Sequence, residues 1–92
     1  MQKTVSDFIQ KHNLQTTPEI RYIDLTSEIG ELGKEILLSS NYGANKYSKT
    51  HETEDEIGDC LFSLLALCCA LDIDAETALH KALEKYEKRF AQ

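Results

Sequence analysis

Two acidic motifs, Glu28-x-x-Glu31 and Glu56-x-x-Asp59, carry the clearest chemical signal in this sequence. In each motif two carboxylates stand three residues apart, and on a helix such positions share one face because successive residues turn by about 100°. Four carboxylates brought together would repel one another strongly unless a cation lay between them. The two motifs therefore predict a divalent metal site held by Glu28, Glu31, Glu56 and Asp59.

The identity of the metal follows from the ligand types. Carboxylates alone favour a hard cation, so we expect Mg²⁺, with Mn²⁺ as a substitute. Zinc is disfavoured because no histidine or cysteine joins the motifs. A di-iron bundle would need E-x-x-H pairs, and the sequence contains none.

The simpler alternative is that the acidic residues form solvated helix faces, as charge runs on helices usually do. Against it, the carboxylates of each motif border apolar residues on the same predicted helix. Packing of these apolar residues against each other should place the carboxylates at the edge of the contact between the two helices. Each motif also contains a glycine, Gly30 or Gly58. Glycine inside a helix costs about 1 kcal/mol relative to alanine. We interpret both glycines as points where a neighbouring helix or a ligand approaches closely.

Basic residues recur near the end of the chain, where Lys81, Lys85 and Arg89 are spaced by four. Lys85 and Arg89 are candidates for a phosphate clamp, because guanidinium makes multidentate phosphate contacts and ammonium acts as a point charge. The alternative is that they balance the acidic surface and complement the helix dipole. Lys49, in the long polar loop over residues 39–51, is a weaker candidate for closing over a ligand.

Caps and periodicity predict four helices. A short first helix should run from about Ser6, as cap, to His12. The second should begin after the Thr17 cap, with proline at its first position, and end near Leu38. A capping box formed by Thr53 and Glu56 should open the third, which ends near Leu71. Asp74 should cap a fourth helix that runs to Phe90.

The apolar residues of these helices predict how they pack. The second and fourth helices each carry one apolar stripe at spacings of three and four. Their members are Tyr22, Leu25, Ile29, Leu32 and Ile36, and Ala75, Ala78, Leu79, Ala82, Leu83, Tyr86 and Phe90. The third helix is apolar on almost every side and needs more cover than two neighbours provide. We therefore predict an all-α, antiparallel bundle of four helices whose core is completed by dimerisation.

Length and composition limit the classes of function. The 92 residues make a single domain, and the net charge of −6 argues against nucleic acid or an anionic membrane as the main partner. Cys60, Cys68 and Cys69 lack C-x-x-C spacing, and we interpret them as reduced, buried side chains. With no signal peptide and no apolar stretch long enough to cross a bilayer, we expect a cytoplasmic protein.

The paired motifs and their apolar flanks resemble the E-x-x-E…E-x-x-D signature of MazG-like proteins, in the all-α nucleoside triphosphate pyrophosphohydrolase superfamily. The similarity extends from about Pro18 to Phe90. It implies Mg²⁺-dependent hydrolysis of a nucleoside triphosphate to the monophosphate and pyrophosphate, in the clearing or control of nucleotide pools. It also implies a homo-oligomer, either a dimer or a dimer of dimers.

The resemblance assigns roles to individual residues. The four motif carboxylates would hold the metal, and Glu31 or Glu35 would orient the attacking water. Lys85 and Arg89 would offset the charge on the leaving pyrophosphate. Two other functions remain open from the residues: a non-catalytic helical interaction module, and a metal-dependent sensor of nucleotides.

Overall fold

A computed structural model describes residues 1–91, which form four helices and no strand. They are α1 (Gln2–Lys11), α2 (Pro18–Ser39), α3 (His51–Ala70) and α4 (Ala75–Phe90). The prediction of an all-α chain of four helices with a short first helix is confirmed. Within this part of the chain, every helix is too short or too polar to cross a membrane.

Helix starts were predicted correctly for α2 and α4 and wrongly for α1 and α3. Thr17 and Asp74 cap their helices by accepting hydrogen bonds from the amides of Ile20 and Thr77. The cap of α3 is Thr50, whose Oγ1 accepts from the Thr53 amide at 3.1 Å, so Thr53 lies inside the helix. Ser6 is likewise internal, because α1 already begins at Gln2.

The Asp74 cap leads to a prediction about pH. Hydrogen bonds from the Thr77 hydroxyl and then from the Thr77 amide hold the pKa of Asp74 below its ordinary value. Its stabilising effect is therefore present above the ordinary pKa and is lost as pH falls through the lowered one. Asp74→Ala should reduce helix content in far-ultraviolet circular dichroism at neutral pH, and Asp74→Asn, which keeps a cap without the charge, should reduce it less. A deficit in Asp74→Ala that is as large in strong acid as at neutral pH would contradict a contribution from the charge.

The core forms where α1 and α2 pack against α3. Its buried apolar side chains are Ile9, Leu65 and Ala66. The fourth helix is held mainly at its start, where Gln2 donates to the Ile73 carbonyl at 2.8 Å and accepts from the Ala75 amide at 2.7 Å. Beyond that point α4 does not pack along any other helix of the described chain.

Much of the predicted core therefore remains uncovered within the described residues. On α4, Leu79, Leu83 and Phe90 are 56%, 49% and 87% exposed. Other large apolar side chains stay exposed on α3, namely Ile57, Leu61 and Leu64. The apolar stripe of α4 exists as predicted, but residues 1–91 leave its large side chains exposed.

Candidate metal centre

The α2–α3 seam, the line along which these two helices pack, contains charged side chains. From α2 its half-buried members are Leu25, Glu28, Leu32 and Glu35. From α3 its buried or half-buried members are Thr53, Glu56, Cys60 and Ser63. Positions spaced alternately by three and four face a neighbouring helix. The carboxylates consequently alternate with leucines inside the seam.

This placement corrects the expectation that the acids would lie only at the edge of the seam. Glu28 and Glu35 occupy seam positions, whereas Asp24 and Glu31 are exposed. The predicted apolar stripe is divided in the same way, because Ile29 and Ile36 are exposed while Leu25 and Leu32 are half-buried. Solvated acidic faces are therefore a poor account of Glu28 and Glu35, since removing carboxylates from water is costly.

Three of the four predicted ligands meet at this seam. One carboxylate oxygen from each of Glu28, Glu56 and Asp59 lies within 4.8 Å of the other two. Glu28 and Glu56 are half-buried and Asp59 is exposed, so the group opens to solvent on one side. Glu31 lies outside this close group, yet its charge is among those that affect Glu56.

The electrostatics of the group indicate an uncompensated negative charge. Partial burial, followed by the charges of Asp59, Glu28, Glu31 and Glu35, raises the pKa of Glu56 above its ordinary value. A cation bound among these oxygens would reverse this effect. The oxygen-only donor set therefore fits a hard divalent cation such as Mg²⁺.

The neighbouring cysteine packs in the seam beside the carboxylates. Burial, and then the charges of Glu28, Glu56 and Asp59, raises the pKa of the Cys60 thiol. All three cysteines are free thiols, as expected, but they are half-buried rather than buried.

Glu35 is held by side chains that the sequence alone did not single out. Its Oε1 accepts hydrogen bonds from the hydroxyls of Ser39 at 3.0 Å and Thr50 at 3.2 Å. The Thr50 and Thr53 hydroxyls lie 3.0 Å apart, and the Tyr47 hydroxyl donates to Thr53 at 2.7 Å. This network ties the loop after α2 to the seam. A T-x-x-T pair at a helix start is the only sequence signal that could have revealed it.

The predicted basic residues form no ion pair with the carboxylates in residues 1–91. Lys49 is exposed in the loop and forms no ion pair with an acidic residue of the described chain. Lys85 and Arg89 flank the ring of Tyr86, at 5.4 and 5.7 Å from its centroid. Because α4 does not pack along α2 or α3, one copy of the chain does not bring these cations to its own acidic group.

The two motif glycines do not mark close helix packing inside the chain. A Cβ atom added at Gly30 or Gly58 would meet no atom within 4 Å among the residues described, apart from each glycine's chain neighbours and local helix backbone. The interpretation that a neighbouring helix approaches them is therefore wrong for a single copy of the chain. Both backbones face open space beside the carboxylates.

An apolar cleft of about 420 Å³ borders the acidic group between α1 and α3. It is lined by Thr4, Val5, Phe8, Phe62 and Asp59. The rings of Phe8 and Phe62 meet edge to face, with centroids 5.9 Å apart and an interplanar angle of 87°. A flat ligand in this cleft would lie against two aromatic rings with its polar end beside Asp59.

Comparison with known proteins gives three consistent similarities. Residues 15–92 match the MazG nucleotide pyrophosphohydrolase domain. YpjD of Bacillus subtilis (strain 168), an uncharacterized protein, is 38% identical over 68 residues, which cover 71% of this chain and 60% of YpjD. The nucleoside triphosphate pyrophosphohydrolase/pyrophosphatase MazG of Thermotoga maritima is 49% identical over 39 residues, which cover 42% of this chain and 15% of that protein.

Structural comparison agrees with the sequence similarity. The crystal structure of the Bacillus subtilis YpjD protein, described there as a candidate pyrophosphatase, matches with a TM-score of 0.78 at 35% identity. The match covers 96% of this chain and 90% of that chain. The matched regions nevertheless span less than two thirds of the length of both curated relatives, at 60% and 15%.

Proposed function

Because this chain belongs to the MazG nucleotide pyrophosphohydrolase domain family, we propose that it hydrolyses nucleoside triphosphates to the monophosphate and pyrophosphate with Mg²⁺. One observation carries the proposal: the oxygens of Glu28, Glu56 and Asp59 gather within 4.8 Å at a partly buried helix seam. Such a group is unfavourable without a cation, and a polyphosphate is a ligand that shares a hard cation with carboxylates.

The residues that would hold Mg²⁺ are Glu28, Glu56 and Asp59, with Glu31 as the predicted fourth ligand. When bound, the metal supplies neutralisation of phosphate charge and a lower pKa for a coordinated water. Mn²⁺ has the same preference for oxygen and is expected to substitute. Two observations support the fit: the donor set consists of oxygens alone, and burial together with neighbouring carboxylates raises the pKa of Glu56.

Glu35 is the candidate for orienting the attacking water. Ser39 and Thr50 both donate to its Oε1, which fixes the carboxylate plane and leaves Oε2 to accept a proton. Its charge also contributes to the raised pKa of Glu56, so the two carboxylates are near each other. Glu31, the other predicted candidate, lacks a comparable hydrogen-bond network within residues 1–91 and suits ligation better.

The nucleoside would occupy the cleft between α1 and α3, against the rings of Phe8 and Phe62. Stacking of a base on an aromatic ring is worth about 1–3 kcal/mol, and Asp59 at the cleft wall joins this surface to the carboxylates.

Phe8→Leu keeps an apolar side chain but removes the ring, and should raise KM for a nucleoside triphosphate about tenfold. Phe8→Tyr keeps the ring and is the matched control. Equal KM values for Phe8→Leu and the parent in steady-state kinetics would exclude stacking on this residue.

A second copy of the chain would complete the site. The exposed apolar stripe of α4 and the exposed apolar residues of α3 need a covering surface. Their pairing in a homodimer, or a dimer of dimers, would allow Lys85 and Arg89 of one subunit to reach the acidic group of another. In that arrangement the two cations would offset charge on the leaving pyrophosphate.

The direct test is pyrophosphate release from a panel of standard and modified nucleoside triphosphates, with Mg²⁺, with Mn²⁺ and with chelator. We expect release only with a divalent cation, and monophosphate in equal amount. Release of single phosphate would assign attack to the terminal phosphorus instead. Failure of every triphosphate would leave the interaction module or the nucleotide sensor, and metal-dependent thermal stabilisation would then favour the sensor.

A further inference from the structure

A second cavity, of about 170 Å³, lies near the start of α2 and away from the acidic group. Apolar side chains from α1 and α3, including Ile9 and Ala66, form part of its wall. Neutral polar residues form much of the remainder, namely Ser6, Gln10, Gln15 and Thr16. Among the described residues, no aspartate or glutamate lines this cavity.

The remaining polar wall is Arg21, which is only 9% exposed. One of its terminal nitrogens, Nη2, donates to the carbonyl of Leu14. A guanidinium carries five N–H donors, and in residues 1–91 no carboxylate pairs with it. Every fully buried side-chain nitrogen in residues 1–91 has a hydrogen-bond partner, so the Arg21 nitrogens that bond nothing are within reach of solvent. The side chain therefore lacks a counter-charge, and it keeps free donors for a ligand.

The position of Arg21 in the helix also affects the potential at the cavity. Arg21 stands in the first turn of α2, a helix of 22 residues, and its amide bonds to the Thr17 carbonyl. The amino end of a helix carries a partial positive charge, which disfavours cations and favours anions. Glu19 in the same turn offsets part of this dipole but does not line the cavity, so Arg21 is the main source of positive potential there.

We infer that this cavity binds a small phosphate-class oxyanion, held by the Arg21 guanidinium and by side-chain donors of the cavity wall. The site is separate from the proposed metal centre, because its lining shares no residue with the carboxylate group. An oxyanion there would pair the buried charge and oppose the helix dipole. Guanidinium presents two parallel N–H donors that match two phosphate oxygens.

The test uses inorganic phosphate in the presence of a chelator, so that the carboxylate group, without metal, repels the probe. Thermal unfolding and calorimetric titration are compared with chloride at equal ionic strength. The parent should be stabilised by phosphate beyond chloride and should show saturable binding. Arg21→Gln should weaken that binding at least about tenfold, as expected for the loss of a charged hydrogen bond.

A second variant keeps the test informative if Arg21→Gln does not fold. Gln15 is exposed at the cavity wall, so Gln15→Glu places a carboxylate beside Arg21 without disturbing the core. Gln15→Glu should abolish phosphate binding, and Gln15→Ala should retain much of it. Glu56→Gln should bind phosphate like the parent, which separates this site from the proposed enzyme activity. No phosphate effect beyond chloride in the parent, or an unchanged effect in Gln15→Glu, would overturn the proposal.

Discussion

Glu56→Gln should lower Mg²⁺-dependent pyrophosphate release by at least about 100-fold. Changes to residues that merely support a metal ligand cost about 10- to 100-fold, and Glu56 belongs to the close group of oxygens itself. Glutamine keeps the shape of the side chain but removes the charge that a hard cation requires. The measurement is kcat/KM for the best triphosphate of the panel, at saturating Mg²⁺.

The matched control is Glu54→Gln, two residues earlier on α3. Glu54 is exposed and does not belong to the carboxylate group, so its replacement removes the same charge without affecting the site. Its activity should equal that of the parent. Comparable losses in both variants would indicate a general effect of net charge rather than loss of a ligand.

Thermal unfolding of the same variant provides an independent check. Neighbouring charges and partial burial raise the pKa of Glu56, which means that its ionised form is disfavoured in the folded chain. A raised carboxyl pKa makes folding more favourable as pH falls. In chelator, therefore, neutral Glu56→Gln should unfold at a higher temperature than the parent. With Mg²⁺ the order should reverse, because the parent alone gains binding energy. Stabilisation of both proteins by Mg²⁺ to the same extent would exclude Glu56 as a ligand.

Helix content and the acidic group were accessible from sequence because local chemistry determines them. Thr17 and Asp74 specify helix starts because their side chains accept hydrogen bonds from amides three residues ahead, and the proline after Thr17 favours the first helical position. The start of α3 was misplaced because Thr50 and Thr53 are both suitable caps. The choice depends on Thr50 also reaching Glu35 on another helix. Such contacts between separate helices leave no periodic pattern in the sequence from which they could be predicted.

The division of α2 into two apolar faces was harder to predict. Leu25 and Leu32 lie half-buried in the α2–α3 seam, whereas Ile29 and Ile36 are exposed, although all four fit one helical stripe. A broad stripe shows that a helix has partners but not which part faces which partner. If the whole stripe is assumed to face one neighbouring helix, Glu28 falls at the edge of that contact. The structure instead places Glu28 in the seam, which strengthens the argument for a cation.

The basic residues illustrate a different limit. Lys85 and Arg89 were predicted as a phosphate clamp from their spacing and their side-chain chemistry. Within the described chain, α4 is held at its start by Gln2 and does not pack along the other helices. A helix of 16 residues is only marginally stable without packing. A second chain would therefore be needed both to cover the apolar stripe of α4 and to bring its cations to an acidic group.

Leu83→Glu should dissociate the proposed oligomer and abolish pyrophosphate release. Leu83 is 49% exposed in the single chain, between Leu79 and Tyr86 on the uncovered stripe. Burial of a leucine is worth about 2 kcal/mol, and a two-fold interface contains the residue twice. The dissociation constant should therefore rise by at least about 1000-fold, measured by light scattering across a dilution series. Glutamate is a good helix former, so direct disruption of α4 does not explain the effect.

The matched control is Leu83→Met, which conserves apolar volume and should preserve both assembly and activity.

If Lys85 and Arg89 act across subunits, two variants that each damage a different half of the shared site should complement each other when mixed. Mixing Arg89→Gln with Glu56→Gln tests the same idea in assembled protein. A mixed dimer joins one intact acidic group to one intact basic stripe, so activity should recover above that of either variant alone. Loss of activity in Leu83→Glu with unchanged mass would contradict dissociation as its cause. No recovery when Arg89→Gln is mixed with Glu56→Gln would contradict a site shared between subunits.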